Sequence, residues 1–198
     1  MKKKIPYYLC CVAVVFAFIL RWEHVKILSN HPWYFQDLLS DSYVYMINAY
    51  LIKSGKIFEI TAQYPGLLYP CILAGILKIF NDNFLFVLLL QIIISSFSVL
   101  LIFLITNKIY GLYEASIAAI LSAIYPVSIY LDTLILKPAF TIFFVCVYFY
   151  YFFKKANGCT NRWILIFSSA SLGILCLLRG NFLLWVPFHC LWIVKTST

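Results

Sequence analysis

The feature that most constrains this chain is a predominantly apolar segment at residues 84–106 that contains no charged side chain. A straight transmembrane helix needs about 20 such residues, so this segment is long enough to cross a bilayer. The composition supports a membrane protein, because 64% of the 198 residues are hydrophobic and only 11% are charged. The net charge of +8 comes from Lys and Arg that mostly flank apolar segments, where they meet lipid headgroups. A soluble globule is excluded, and no nucleic-acid partner is expected.

Similar apolar segments recur along the whole chain. The predicted spans lie near residues 5–20, 65–80, 84–106, 115–131, 138–153, 163–178 and 182–194. We therefore predict an all-α, polytopic transmembrane helix bundle that forms one domain over residues 1–198. The lysines at positions 2–4 favour a cytoplasmic N-terminus. No small-residue cleavage site follows residue 20, which predicts an uncleaved first span.

Residues 21–64 form the longest polar stretch, and we predict that they are an extracytoplasmic loop. Within this loop, residues 40–54 have the spacing of an amphipathic helix, with Ser40 as its N-cap and Gly55 just past its end. Its two predicted faces carry Val44, Ile47 and Leu51 on one side and Asp41, Tyr45 and Asn48 on the other. We expect this helix to lie along the membrane surface.

The basic residues give two conflicting indications of orientation. Lys2–Lys4 and the cluster of Lys154, Lys155 and Arg162 both favour the cytoplasm. If every predicted span up to residue 153 crosses, these two clusters lie on opposite sides of the membrane. Either one segment is re-entrant, with residues 65–70 the favoured place, or the second cluster lies outside. The sequence leaves both alternatives open.

Four ionisable side chains lie inside or beside apolar segments, where their energetic cost makes them functional candidates. Asp41 opens the predicted surface helix and is either a general base or a helix-capping aspartate. Asp132 and Lys137 lie in a break before Pro138, where Lys137 either contributes to an anion site at a helix start or extends to the headgroups. Arg179 either ends a span or binds a phosphate or carboxylate in a polar cavity.

Five short motifs follow one another in order along the chain. They are Asp41-Ser42-Tyr43-Val44-Tyr45-Met46-Ile47-Asn48-Ala49, Tyr64-Pro65-Gly66-Leu67-Leu68-Tyr69-Pro70, the segment from Gln91 to Gly111, Leu136-Lys137-Pro138, and Leu177-Leu178-Arg179-Gly180-Asn181. In this order they resemble the GT-C superfamily of polytopic membrane glycosyltransferases, above all the branch of protein O-mannosyltransferases and lipid A aminoarabinose transferases. The resemblance covers nearly the whole chain.

The resemblance implies transfer of a sugar from a polyprenyl-phosphate donor to a hydroxyl acceptor at the outer membrane face, in cell envelope glycosylation. It implies that Asp41 is the catalytic base or orients the acceptor. The substrate-binding residues would be Tyr45, Tyr64, Asp132, Lys137 and Arg179, with Lys137 and Arg179 facing the lipid phosphate. The implied location is a bacterial plasma membrane, which the chain crosses several times.

The chain departs from this family pattern at specific points. Ser42 stands where many members carry a second acid, and Lys137 stands where many carry an acid. No cofactor is therefore predicted, although a divalent metal is left open, and the seven cysteines form no zinc-type motif. Members are commonly much longer, so the chain corresponds to their N-terminal part. The alternatives are an inactive truncation and a non-enzymatic membrane protein, either a transporter or flippase subunit or an assembly partner.

Overall fold

Every regular element in the described part of the chain is helical, which confirms the all-α prediction. The computed structural model of the protein describes residues 5–30, 41–59, 66–157, 159 and 161–197. The α-helices are α1 (Ile5–Ser29), α2 (Asp41–Lys53), α3 (Leu68–Ile79), α4 (Phe84–Ile109), α5 (Leu112–Ile124), α6 (Pro126–Asp132), α7 (Pro138–Ala156), α8 (Arg162–Leu178) and α9 (Val186–Ser197). Short 3₁₀ segments follow α2 and α8, at Ile57–Glu59 and Gly180–Trp185.

Three of these helices, α1, α4 and α7, are long and apolar enough to cross a membrane. A fourth span forms if α5 and α6, which meet at a bend of 52°, count as one. The bend falls at Tyr125, whose extended backbone precedes Pro126. Proline disfavours helical geometry in the residue before it and has no N–H to donate. The span predicted at residues 115–131 is therefore two helices with a break between them.

Helix α1 is longer than the sequence pattern indicates. The span predicted at residues 5–20 continues as helix to Ser29, so the polar stretch that was predicted to begin as a loop at residue 21 is helical in its first part. The reason is Arg21, which is only 1% exposed and lies inside the bundle instead of among the headgroups. A buried partner on α6 holds its charge, and the helix continues past it.

Helix α3 does not reach across a bilayer. Its 12 residues give a length of about 18 Å, against about 30 Å of hydrocarbon. Both of its ends contact the same end of the bundle. Phe80, just after α3, stacks on Phe86 near the start of α4, while Gly66, just before α3, lies against the backbone of Leu178 at the end of α8. Helix α3, within the span predicted at residues 65–80, therefore lies at one end of the bundle and is shorter than a span requires.

The opposite end of the bundle carries Lys108, Lys154 and Lys155, and we call it the basic end. Lys108 and Lys154 lie 5.0 and 5.9 Å from the ring centroid of Tyr150. Tyr7 near the start of α1 contacts Phe103 near the end of α4, with ring centroids 5.8 Å apart. The start of α1 and the lysines at the end of α7 thus lie together. Because α3 does not cross, these two parts of the chain need not lie on opposite sides of the membrane.

Small side chains allow α1 and α5 to pack closely. The buried small residues of this contact are Cys10, Ala13 and Ala17 on α1 and Ala115, Ala119 and Ala123 on α5. Membrane helices associate through such surfaces because lipid gives them no hydrophobic drive to pair. The close approach brings the last turns of α1 next to α6, where the buried charges meet.

The last two predicted spans are short. Helix α8 corresponds to the segment at 163–178 and has 17 residues, while α9 has 12. The first part of the segment predicted at 182–194 belongs to the 3₁₀ segment Gly180–Trp185. Because glycine is a poor helix former, the chain changes direction at this point before it continues as α9.

Candidate functional site

Three helix ends meet at the end of the bundle opposite the basic end. Asp41 is the first residue of α2, Lys137 lies directly before α7, and Arg179 lies directly after α8. Lys137 is the common neighbour, because its ammonium interacts electrostatically with the Asp41 carboxylate and with the Arg179 guanidinium. The fold therefore brings together one carboxylate and two cations that are distant in sequence. We call these three residues the site group.

The site group is partly open to its surroundings. Asp41 and Lys137 are half-buried, and Arg179 is exposed. Burial lowers the pKa of Lys137, the neighbouring Arg179 charge lowers it further, and the Asp41 charge opposes both effects. Within the part of the chain that the structure describes, the two cations have one carboxylate beside them, which leaves an excess of positive charge. Such an arrangement suits an anionic ligand such as phosphate, which accepts charge-assisted hydrogen bonds from both cations.

Tyr45 supports the lysine of the site group. It lies one turn after Asp41 on α2 and is only 2% exposed. The Nζ atom of Lys137 lies 5.5 Å from the centroid of the Tyr45 ring, which is the range of a cation–π interaction. The structure thus brings Tyr45 to the site group. Tyr64, the other tyrosine predicted to bind substrate, lies outside the described residues.

Helix α2 begins and ends much as its sequence predicts. It ends in a Schellman motif, in which the N–H of Gly55 donates to the carbonyl of Ile52 and the N–H of Lys56 donates to that of Leu51. Gly55 has a φ of +80°, which confirms the prediction that it lies just past the helix end. Ser40, the predicted N-cap, lies outside the described residues.

The more polar face of α2 packs inward. Tyr45 and Asn48 are buried, whereas Ile47 on the apolar face is exposed. In water the apolar face would be buried, but a helix at a membrane surface can place that face in lipid. The inward face carries Asp41 as well, so the orientation of α2 turns the carboxylate toward Lys137.

Arg179 is positioned by a close backbone approach. It follows α8 in an extended conformation, and its N–H donates to the carbonyl of Leu175 at 2.8 Å. Gly66 crosses this helix end with a φ of +123°, and a Cβ atom there would lie 2.6 Å from the carbonyl oxygen of Leu178. Only glycine fits such a position. The glycine therefore allows the backbone at Gly66 to lie directly against the helix end that precedes Arg179.

Asp132, although predicted to bind substrate, is not brought to the site group. It is 0% exposed, and its Oδ2 atom accepts hydrogen bonds from Arg21 Nε at 2.9 Å and Ser128 Oγ at 3.0 Å. The hydroxyl of Ser95 donates to the same oxygen. These contacts hold α1, α4 and α6 together, so in this structure Asp132 has a structural role.

Arg21 is the buried charge that sequence reasoning missed. Sequence patterns place it at the end of the first span, in the headgroup layer. Its guanidinium instead donates to Asp132 and to the backbone carbonyls of Ala17 and Ala123, both at 3.2 Å. The available signal was the presence of one arginine and one aspartate in apolar surroundings, because a charge inside a membrane requires an opposite partner.

An apolar cavity of about 280 Å³ lies between α7, α8 and the 3₁₀ segment that follows Arg179. Asn181 and Phe182 line it close to Arg179, and Phe149 and Leu175 line its sides. Its lining is almost entirely hydrocarbon and aromatic, so it suits an apolar chain better than a polar group.

The site group does not fit a divalent cation. Within the described residues, no three His, Cys, Asp or Glu side chains converge in the manner of metal ligands. The site group supplies one carboxylate beside two cations, whereas magnesium and calcium require several oxygen ligands. The positive charges would repel a metal ion and attract an anion.

The fold defines an integral membrane protein with a cationic site at one end of its helix bundle. A family model for dolichyl-phosphate-mannose-protein mannosyltransferases matches residues 65–196, which is more than half of the chain, and the chain belongs to this family. The matched range includes Lys137 and Arg179 and begins after Asp41 and Tyr45. No curated protein and no solved structure matched the chain. The family identifies the protein in general terms as a membrane glycosyltransferase of the mannosyltransferase type.

Proposed function

We propose that the protein transfers a sugar, mannose in view of its family, from a polyprenyl-phosphate donor to a hydroxyl group of an acceptor. The observation that carries this proposal is the convergence of Asp41, Lys137 and Arg179 at one end of the bundle. The reaction needs a base for the proton of the acceptor and positive charge for the departing phosphate. The site group contains these two kinds of side chain.

In the proposed reaction, the Asp41 carboxylate accepts the proton of the acceptor hydroxyl while the hydroxyl oxygen attacks the anomeric carbon. The bond between that carbon and the phosphate oxygen breaks, and its electron pair leaves with the polyprenyl phosphate. Lys137 and Arg179 stabilise the charge that develops on the phosphate oxygens. Attack from the face opposite the leaving phosphate inverts the configuration of the sugar.

The apolar cavity beside Arg179 supports a lipid-linked donor. A phosphate bound by Arg179 would place the first part of its polyprenyl chain near Asn181 and Phe182, which line this cavity. That hydrocarbon already lies among lipid chains in the bilayer, so the cavity would hold it by van der Waals packing instead of by removal from water. The donor would then be held by its charge at the site group and by its chain between α7 and α8.

We further propose that the site group faces away from the cytoplasm. Positive residues near membrane spans concentrate on the cytoplasmic side. Lys108, Lys154 and Lys155 lie at the ends of helices that finish at the basic end, whereas Lys26, Lys53 and Lys56 near the other end are paired with acids. The site group is at the other end of the same helices. This orientation places the N-terminus in the cytoplasm and the reaction at the outer surface.

A transfer assay tests the proposal. The protein is reconstituted in lipid nanodiscs with a radiolabelled polyprenyl-phosphate mannose and a serine- and threonine-containing peptide as the acceptor. We expect labelled peptide with the native protein. Asp41→Asn keeps the size of the side chain but removes the base, so kcat should fall about 10²- to 10⁴-fold while the affinity for the donor changes little.

Asp82→Asn is the matched control. Asp82 is a second acid near the start of α4, with its side chain 45% exposed and paired with Lys53. We expect this variant to transfer at nearly the native rate. Near-normal transfer by Asp41→Asn would remove Asp41 from the catalytic role, and absence of transfer by the native protein with polyprenyl-phosphate sugars would contradict the proposed function.

A further inference from the structure

We propose that Gln91 is a positioning residue that holds Lys137 and Tyr45 in place for the reaction. The catalytic consequence of this role rests on the proposed function, whereas the placement of Lys137 can be measured separately. Gln91 lies on α4, is 0% exposed and belongs neither to the site group nor to the ion pair of Arg21. Its hydrogen bonds join α4 to the turn before Lys137 and to Tyr69, which packs against Tyr45.

The amide nitrogen of Gln91 holds the turn that carries Lys137. It donates to the backbone carbonyl of Asp132 at 3.0 Å and to that of Leu134 at 2.7 Å. Asp132 is the last residue of α6, and Leu134 lies in the turn between α6 and α7, which ends at Lys137. The Gln91 side chain on α4 therefore helps to fix the backbone conformation of this turn.

The amide oxygen of Gln91 holds an aromatic stack that reaches the same lysine. It accepts a hydrogen bond from the Tyr69 hydroxyl at 2.6 Å. The Tyr69 ring packs edge-on against the Tyr45 ring, with centroids 5.1 Å apart, and Lys137 Nζ lies 5.5 Å from the Tyr45 centroid. Two separate routes, one through the backbone turn and one through two rings, thus lead from Gln91 to Lys137.

The chemistry of the position favours an amide over any other side chain. Two N–H donors serve two carbonyls and one carbonyl oxygen serves a hydroxyl, so the side chain satisfies buried partners of both kinds at once. A leucine would fit the volume but would leave three buried polar groups without this partner. We infer that Gln91 sets the position of Lys137, and not merely the packing of α4 against its neighbours.

The direct test compares the position of Lys137 in the native protein and in Gln91→Leu, both in nanodiscs. Acylation of Lys137 is followed by mass spectrometry as a function of pH, because only the neutral amine reacts. In the native protein we expect a midpoint below the ordinary range of lysine, since burial and Arg179 lower the pKa of Lys137. In Gln91→Leu the amine leaves this environment, and the midpoint should rise toward the ordinary range.

Transfer kinetics provide the second readout. We expect kcat/KM of Gln91→Leu to fall about 10- to 100-fold, because small displacements of a positioning group have effects of this size. Tyr69→Phe removes one hydroxyl, retains the ring and should fold even if Gln91→Leu does not. It breaks only one of the two routes, so we expect a smaller loss of kcat/KM and a smaller rise of the Lys137 midpoint.

Ser96→Ala is the matched control for a buried polar change on α4. The Ser96 hydroxyl donates to the carbonyl of Ile92 in its own helix, so both readouts should stay at the native values. The proposal is overturned if Gln91→Leu and Tyr69→Phe keep the native midpoint and kcat/KM, or if Ser96→Ala shifts them equally. A midpoint that rises in both variants while the native protein forms no product supports the positioning role and contradicts the proposed function instead.

Discussion

Two groups of charged side chains lie where helices of the bundle meet, and they differ in what surrounds them. The pair of Arg21 and Asp132 is 1% and 0% exposed and balances one cation with one anion, and Arg21 also donates to two backbone carbonyls. The site group is partly open and has two cations for one carboxylate. The low exposure and the balanced charge of Arg21 and Asp132 fit a structural ion pair, whereas the openness and the excess positive charge of the site group fit the ligand site that we propose.

The largest expected effect on stability belongs to the enclosed pair. Arg21→Met leaves the Asp132 carboxylate buried without its cation, and removal of one partner of a buried pair costs about 3–5 kcal/mol. The measurement is the free energy of unfolding in mixed detergent micelles. The double variant Arg21→Met with Asp132→Leu removes both charges, and we expect it to recover most of the loss.

The control for this prediction is an exposed ion pair on the same chain. Lys56 and Glu59 lie 3.5 Å apart with both side chains 59% exposed, and solvent-exposed pairs contribute little to stability. Lys56→Met should therefore leave the free energy of unfolding almost unchanged. If Arg21→Met and Lys56→Met lower the free energy of unfolding equally, the buried pair of Arg21 and Asp132 does not have the structural role that we assign to it.

A smaller effect, on ligand binding instead of stability, is expected in the site group. Arg179→Gln should weaken the binding of polyprenyl phosphate about 10- to 100-fold, since hydrogen bonds to charged groups contribute about 1.5–3 kcal/mol. Arg179→Lys should weaken it less, because an ammonium keeps the charge but cannot make the paired hydrogen bonds of a guanidinium. Binding is measured by titration of the lipid into nanodiscs.

The free energy of unfolding of the Arg179 variants further distinguishes the site group from the pair of Arg21 and Asp132. Arg179 is exposed, so both of its variants should unfold at nearly the native free energy, in contrast to Arg21→Met. If Arg179→Gln lowers stability as much as it lowers affinity, the residue is a structural cation like Arg21, and the distinction between the two groups disappears.

Local sequence patterns predicted the parts of the fold that depend on neighbouring residues. The apolar segment at 84–106 corresponds to α4, and the end of α2 at Gly55 follows from glycine's freedom to adopt a positive φ. The ionisable candidates Asp41, Lys137 and Arg179 were found because charges beside apolar segments are costly. Each of these inferences uses only a short stretch of chain.

The features that local sequence patterns did not predict depend on packing between distant parts of the chain. Arg21 and Asp132 are 111 positions apart, and no periodicity connects them. The segment at 65–80 has the apolar character of a span, but the close contact of Gly66 with the end of α8 keeps α3 at one side. Whether three candidate residues meet depends on that contact, because a crossing α3 would separate Asp41 from Lys137.

The central claim is that the site group binds the phosphate of a lipid-linked donor. Its most direct test is the equilibrium affinity of polyprenyl phosphate in nanodiscs for the native protein, Lys137→Met and Lys53→Met. Lys53 is a cation at the same end of the bundle, but it is paired with Asp82 outside the site group. We predict at least a roughly tenfold loss of affinity for Lys137→Met, from the lost charge-assisted bond, and native affinity for Lys53→Met. Equal affinity in all three proteins, or an equal loss in both variants, would contradict the claim.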